Sequence, residues 1–449
     1  MSARQTALGW AERIGYGGGD FGFNLYWVTI ASFLAAFYTD YFGISAAAAA
    51  TMLLVTKIVD AVTDPIMGAV ADRTRTRFGK FRPYLLFGGV PLAAAGVLAF
   101  TTPDLTPGLK LAWAYATYTL LMMCYTMVNT PYSALSGVLT ANSQERTLLI
   151  SIRFIFAYGG GTLVSKYTLP LVEHFGQGEP VRGWQATMLL YGVIAVLVFW
   201  CSFAATRERI QPIAATATRP QRDIADLMKS QPWLILFALS MIIMLLITMR
   251  TGSAFYFFKY YLERPELLSN YLASQTVALA VGAALTPVLT RYIDKAKLLI
   301  VLMTVVAALS VVYYFIPRDA IATIFVVNTL ISLSLGPKAP LTWSMYADTA
   351  DYNEWKTGRR ATAMTFAAAT FSQKIGSAIG TAGMLWCLAL IGYVANEAQT
   401  GASQTGIALM QTLAPGAFAL LAVLAASFYG LSGAELGNVQ RELAERDAG

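Results

Sequence analysis

Lys57, Asp60 and Asp64 stand three and four residues apart in Lys57-Ile-Val-Asp60-Ala-Val-Thr63-Asp64-Pro65, inside a stretch, 44–70, that otherwise reads as membrane-spanning. On a helix these spacings put all three on one face, with neighbouring Cβ atoms roughly 5–6 Å apart. An ionisable group at the centre of such a helix costs about 2.5–3.5 kcal/mol on insertion scales, so it faces a polar cavity or a partner and marks an ion or substrate path. A structural ion pair between Lys57 and one aspartate is the plainer reading, and it leaves a carboxylate over. Two carboxylates one turn apart repel in a low-dielectric site, so the empty pair is expected to hold a proton or attract a cation. A proton needs one carboxylate, whereas Na+ wants several oxygens, and Thr63 adds a hydroxyl to the two acids.

The elements that carry these groups follow from composition. Of 449 residues, 56% are hydrophobic and 13% charged, where a water-soluble chain has about 25% charged. Apolar runs long enough to cross about 30 Å of hydrocarbon occur at twelve places: 21–39, 44–70, 83–101, 111–139, 147–170, 186–205, 233–258, 269–293, 298–316, 320–346, 362–392 and 406–430. The net charge of +7 points to orientation in a bilayer and away from nucleic acid. With both termini cytoplasmic, external loops hold only Lys110, Arg182, Lys259, Arg264 and Arg318, and spans hold Lys57, Arg153, Lys166, Arg250, Lys338 and Lys374. The remaining basic residues fall on the inner side, the positive-inside bias. Residues 1–19 lack the apolar core and small-residue site of a cleaved signal, so no cleavage is expected. Cys124, Cys201 and Cys387 lie in apolar spans without metal-ligand spacing. One histidine, His174, excludes a histidine triad or multi-histidine metal site, and no phosphate-binding glycine loop occurs. The chain is expected to be no enzyme and to need no cofactor, with energy coming from an ion gradient or a partner ATPase.

The longest internal polar break, Thr206 to Gln231, divides six spans from six. The expected organisation is an N-terminal bundle 1–205, a cytoplasmic loop 206–232, and a C-terminal bundle with a cytoplasmic tail, 233–449. Asp64-Pro65…Asp72-Arg73 aligns with Thr286-Pro287…Asp294-Lys295, which fits two parallel six-helix repeats. The repeat fails where chemistry is expected: Thr286 stands for Asp64 and Gly282 for Asp60. Ion coupling is therefore expected in the first half alone. The loop signature Gly68-x-x-x-Asp72-Arg73 with the basic residues Arg75, Arg77, Lys80 and Arg82 reads as a cytoplasmic gate whose bases pair with Asp348, Asp351 and Glu354 or with helix C-termini, or else as a topology signal.

Asp60-Ala-Val-Thr-Asp64-Pro-Ile-Met-Gly68 followed by Asp72-Arg73-Thr-Arg-Thr-Arg-Phe-Gly79-Lys-Phe-Arg82-Pro83 resembles the long signature of the glycoside-pentoside-hexuronide:cation symporters, typified by melibiose permease. Gly19-Asp20-Phe21, Tyr125-Thr126…Pro131, Glu145-Arg146…Arg153, Ala347-Asp348…Asp351-Tyr352…Glu354 and Lys374-x-Gly376-Ser-Ala extend the match over nearly the whole chain. The resemblance implies an all-α integral membrane protein of the major facilitator fold, twelve helices in two six-helix bundles, moving sugar with Na+, Li+ or H+ by alternating access. It implies a cation site at Asp60, Thr63, Asp64 and Thr126, with Na+ held by Asp60 and Asp64. The implied sugar site is Asp20, Tyr125, Asn129, Arg153 and Lys374. Four positions depart from the family example: Thr63 replaces an asparagine, Asn129 an acid that grips sugar hydroxyls, Ser133 a tryptophan, and Gly19 a lysine before the first acid.

Asp20 and Arg153 suit hydroxyls, one accepting and the other donating as a fork, unless they form a structural pair with each other. Tyr26, Tyr125 and Trp343 offer faces for a sugar's C–H surface. Lys57, Arg250, Lys338 and Trp343 read as substrate-binding or structural. The leading expectation is a cation-coupled symporter of a neutral glycoside in a bacterial inner membrane, acting as a monomer with sugar, cation and bilayer as partners. An acidic sugar such as a hexuronide is the alternative, followed by a lipid or lysolipid transporter, and by a non-transporting sensor or scaffold.

Overall fold

The computed structural model describes residues 8–140, 143–209, 227–357, 362–431 and 433–448. Every named element among them is helical, as a backbone crossing hydrocarbon must be if each N–H is to find its partner within its own segment. Two compact units divide the chain, Met1–Ala215 and Thr216–Gly449.

The first unit holds α1 (Trp10–Thr29), α2 (Ala46–Arg73), α3 (Arg82–Ala99), α4 (Pro107–Leu139), α5 (Ser143–Gly176) and α6 (Pro180–Ala205). Starts are written locally. The Ser45 hydroxyl caps α2 by accepting the Ala48 N–H at 3.2 Å, and α3, α4 and α6 carry proline in the first turn, where no partner for its missing N–H is needed. On α6, Leu189, Val193 and Leu197 are each about half exposed while Trp184, Met188 and Tyr191 are fully buried. An outward stripe of that kind is stable against lipid and costly against water.

The second unit holds α7 (Gln231–Tyr256), α8 (Leu268–Leu289), α9 (Lys295–Tyr314), α10 (Ile321–Leu335), α11 (Lys338–Thr357), α12 (Thr362–Leu390), α13 (Gly401–Gln411), α14 (Leu413–Ser427) and α15 (Gly433–Ala448). Two expected spans are interrupted: 320–346 becomes α10 and α11, broken at Gly336-Pro337, and 406–430 becomes α13 and α14, broken at Thr412. Nine segments among the described residues are long and apolar enough to span a membrane. The expected total of twelve needs α1, α2 and α12 as well, and α2 is the one carrying the ionisable stripe.

Packing repeats between the units. In the first, α1 packs on α5 and α6, α3 on α4 and α6, and α2 chiefly on α4. In the second, α7 packs on α12 and α14, α9 on α10 and α14, and α8 on α10, the same pairings in the same chain order. A second signature lies where α1 and α7 end. Each runs into a π-helical turn, Phe37–Tyr41 and Phe257–Tyr261. Phe42 N–H bonds Phe37 O at 2.8 Å and Ile44 N–H bonds Tyr38 O at 3.1 Å; Leu262 with Phe257 and Arg264 with Phe258 repeat both bonds at 2.9 Å. The intervening residue is left-handed in each, Gly43 at φ +82° and Glu263 at φ +56°.

A side chain in the left-handed region costs about 1–2 kcal/mol. Gly43→Ala is therefore expected to lower the melting temperature of the detergent-solubilised protein, and Glu263→Gly to leave it level or raise it. Equal losses from both substitutions would mean that the two turns are not equivalent.

Candidate functional site

Asp60 and Asp64 project from one face of α2 toward Thr126 on α4. The Thr126 hydroxyl lies 2.9 Å from Asp60 Oδ1 and 3.0 Å from Asp64 Oδ1. Asp60 is 2% exposed and Thr126 3%, while Asp64 is half-buried. A hydroxyl carries one proton and donates it to one acceptor at a time, so Thr126 is shared between the two carboxylates. Thr63 donates to the Asp60 backbone carbonyl at 3.0 Å, which orients its oxygen along the same helix turn. Lys57 leans toward α1, its Nζ 4.9 Å over the Trp27 ring.

The second cluster joins α1, α4 and α5. Arg153 grips Asp20 with a fork, Nε to Oδ2 and Nη2 to Oδ1, the latter at 3.2 Å. Its Nη1 donates to the Tyr16 hydroxyl at 3.2 Å, and the guanidinium lies 4.7 Å over the Tyr132 ring. Tyr16 and Tyr132 stack at 4.9 Å, and the Tyr132 hydroxyl donates to the Tyr16 carbonyl at 2.6 Å. Arg153 and Asp20 keep 20% and 13% of their side-chain surface. Tyr16 and Tyr132 were not among the residues expected from sequence. The available signal was Gly19: a Cβ there would stand 2.4 Å from the Tyr132 ring, so only glycine admits the aromatic cage beside Asp20.

An aromatic seam runs between the clusters. Phe23 touches Tyr132 at 5.1 Å and Tyr125 at 5.5 Å, and Tyr125 meets Trp27 at 6.3 Å. Tyr125, Asn129 and Tyr132 recur at helical spacing on α4, and Asn129 is half-buried. The first unit thus gathers Asp20, Arg153, Tyr125, Asp60, Asp64 and Thr126 along α1, α2, α4 and α5.

The second unit lacks an equivalent pair for a steric reason. A Cβ on Gly282, the counterpart of Asp60, would lie 2.2 Å from the Leu333 carbonyl, and Thr286 is bonded back to Gly282 O at 3.4 Å. Close approach of α8 and α10 fills the place of the acids. Arg250, 2% exposed, bonds Ser332 Oγ at 3.3 Å and the Asn328 carboxamide. Lys338, 6% exposed, sets its Nζ 3.2 Å from Met244 Sδ. Trp343 and Lys374 lie half-buried on α11 and α12.

Among the residues read as a gate, Lys295 bonds Asp348 at 2.6 Å within the second unit, and Asp351 and Glu354 follow on α11. Arg82 donates to Phe203 O near the end of α6 at 2.7 Å and to Phe78 O at 3.2 Å, so of its two expected kinds of partner it has a helix end. Arg73 is exposed, and the side chain of Asp72 lies outside the described residues.

Thr126→Val keeps the shape and deletes the shared hydroxyl. A hydrogen bond to a charged group is worth about 1.5–3 kcal/mol, so cation affinity, read as cation-dependent protection from thermal unfolding, is expected to fall about tenfold or more. Thr126→Ser should retain it, and unchanged affinity in Thr126→Val would exclude the hydroxyl from the site.

Comparison with known proteins places the chain in a family. The family described as MFS/sugar transport protein matches residues 15–433. The inner membrane symporter YicJ of Escherichia coli (strain K12) is 36% identical over 444 residues, covering 98% of this chain and 96% of its own. An isoprimeverose transporter of Lactiplantibacillus pentosus is 34% identical over 446 residues, covering 98% and 93%. The crystal structure of a D-xylose-proton symporter superposes with a TM-score of 0.67 at 15% identity over 94% of this chain and 96% of that one, a likeness of fold. The chain is a multi-pass membrane protein and belongs to the MFS/sugar transport protein family.

Proposed function

We propose that this protein is a secondary active symporter that moves a glycoside with Na+ by alternating access, Asp60 and Asp64 being the coupling pair. The single observation behind the ion site is the Thr126 hydroxyl placed between both carboxylates. Like charges one helical turn apart, roughly 5–6 Å between Cβ atoms, repel by roughly 3 kcal/mol at an effective dielectric of about 20, and a monovalent cation among them removes that cost. Two carboxylates and the Thr63 and Thr126 oxygens form a donor set for Na+; H+ is the competing ion and needs one carboxylate alone. Relatives named as symporters, and the one named for isoprimeverose, support a sugar as cargo.

The Asp20–Arg153 pair with Tyr16, Tyr125 and Tyr132 reads as the sugar-facing surface. Carboxylate and guanidinium offer acceptors and donors to hydroxyls, and their mutual neutralisation favours an uncharged sugar. Asn129 continues the polar strip on α4, and Lys374, half-buried on α12, is a candidate sugar-binding residue on the strength of the family resemblance. The positive-inside distribution supports both termini in the cytoplasm of a bacterial inner membrane, with one chain as the functional unit.

Asp64→Asn is expected to abolish accumulation of sugar against its gradient in proteoliposomes while leaving sugar binding measurable; normal accumulation would refute the assignment. Uptake of a glycoside panel under imposed Na+ or H+ gradients identifies cargo and ion together. The burial of Lys338 against a thioether favours a second reading, an acidic glycoside paired with that ammonium. Competition between a glucoside and its matching glucuronide decides: preference for the neutral sugar, unchanged in Lys338→Ala, rejects the acidic reading.

A further inference from the structure

The residues that follow α6 are built into the first unit. Glu208 Oε1 accepts from the backbone N–H groups of Phe81 at 2.7 Å and Arg82 at 3.0 Å, and Oε2 from Lys80 at 2.8 Å. These donors open α3, where a carboxylate also meets the positive end of the helix dipole. Gly79 makes the approach possible: it is left-handed at φ +109°, and a Cβ on it would stand 2.6 Å from Glu208 Oε1. Next door, Arg209 forks onto Glu12 of α1 at 2.6 and 2.8 Å, and its N–H bonds Val138 O of α4 at 2.9 Å. The Arg207 N–H reaches Glu12 Oε1 at 3.2 Å. Residues 206–209 thereby join α1, α4, α6 and the loop between α2 and α3.

The helix with most to gain from that loop is α2. Its chief long partner is α4, and its last turn is fixed through Thr74 Oγ1, 2.6 Å from the Tyr84 hydroxyl on α3. Where the end of α2 sits is therefore set largely by the loop 74–81, and the loop is held by Glu208. We propose that Glu208 is a positioning residue for coupled transport: it ties the cation-bearing α2 to the start of the segment leading into the second unit, so that filling the carboxylate pair is felt there. This rests on the reading of Asp60 and Asp64 as the coupling pair.

The test uses full-length protein in proteoliposomes. Glu208→Gln is expected to slow cation-driven uptake by about tenfold, while sugar and cation affinities measured by direct binding stay within about twofold. A cysteine at exposed Arg75 reports the loop through its rate of labelling by an impermeant maleimide from the side bearing that loop. With Glu208 present, the coupling cation should change the labelling rate; with Glu208→Gln it should not. Where Glu208→Gln does not fold, Gly79→Ala, whose methyl displaces the carboxylate, carries the same comparison. Wild-type uptake and cation-sensitive labelling in the variants overturn the proposal alone, as does a parallel loss of binding and uptake, which reduces Glu208 to a folding role. Labelling indifferent to Na+ and H+ even with Glu208 present overturns the coupling reading and this one with it.

Discussion

Two carboxylates that share one hydroxyl inside hydrocarbon set the terms for this molecule. Asp60 and Asp64 lie one turn apart on α2 and meet at Thr126, and in low dielectric their repulsion is relieved by a proton or a cation. The site's energy thus changes with its occupancy, which is what a coupling element requires. Under the proposed symport the groups around Arg153 must sense the same helices, and the seam of Phe23, Tyr125 and Trp27 supplies packed contact between the two clusters. Close-packed aromatic contacts of this kind pass small displacements on because they have few alternative arrangements.

The two units share their packing order and the π-helical ends of α1 and α7, yet their chemistry differs. Gly282 and Thr286 occupy the places of the acids, and the backbone of α10 lies where a carboxylate would have to go. In exchange, the second unit buries the cations Arg250 and Lys338. If the α2 pair is the coupling site, cation occupancy belongs to one bundle, and a difference between bundles is what alternating access acts on.

Much of this was legible in the sequence because membrane burial makes ionisable residues conspicuous. The α2 stripe, the apolar runs and the failure of the repeat at Thr286 all follow from residue type and spacing. The cage around Arg153 did not, since tyrosines are frequent in spans and Tyr16 and Tyr132 are brought together by tertiary packing; Gly19 marked the place without naming its occupant. The basic signature loop was legible as charge but not as contact. Its glycine serves Glu208, from a segment 128 residues after Lys80, and no local pattern announces so distant a carboxylate. The broken helices carry their breakers in the sequence, Gly336-Pro337 at the first and Pro415-Gly416, three residues past Thr412, at the second.

Coupling through Asp60 and Asp64 requires that charge enter with sugar. The transient current of proteoliposomes on a solid-supported membrane after a sugar concentration jump reads that step. Wild-type protein should carry inward positive charge that depends on the coupling cation, and Asp60→Asn should carry none despite retained sugar binding. A current of equal size in Asp60→Asn would contradict that coupling.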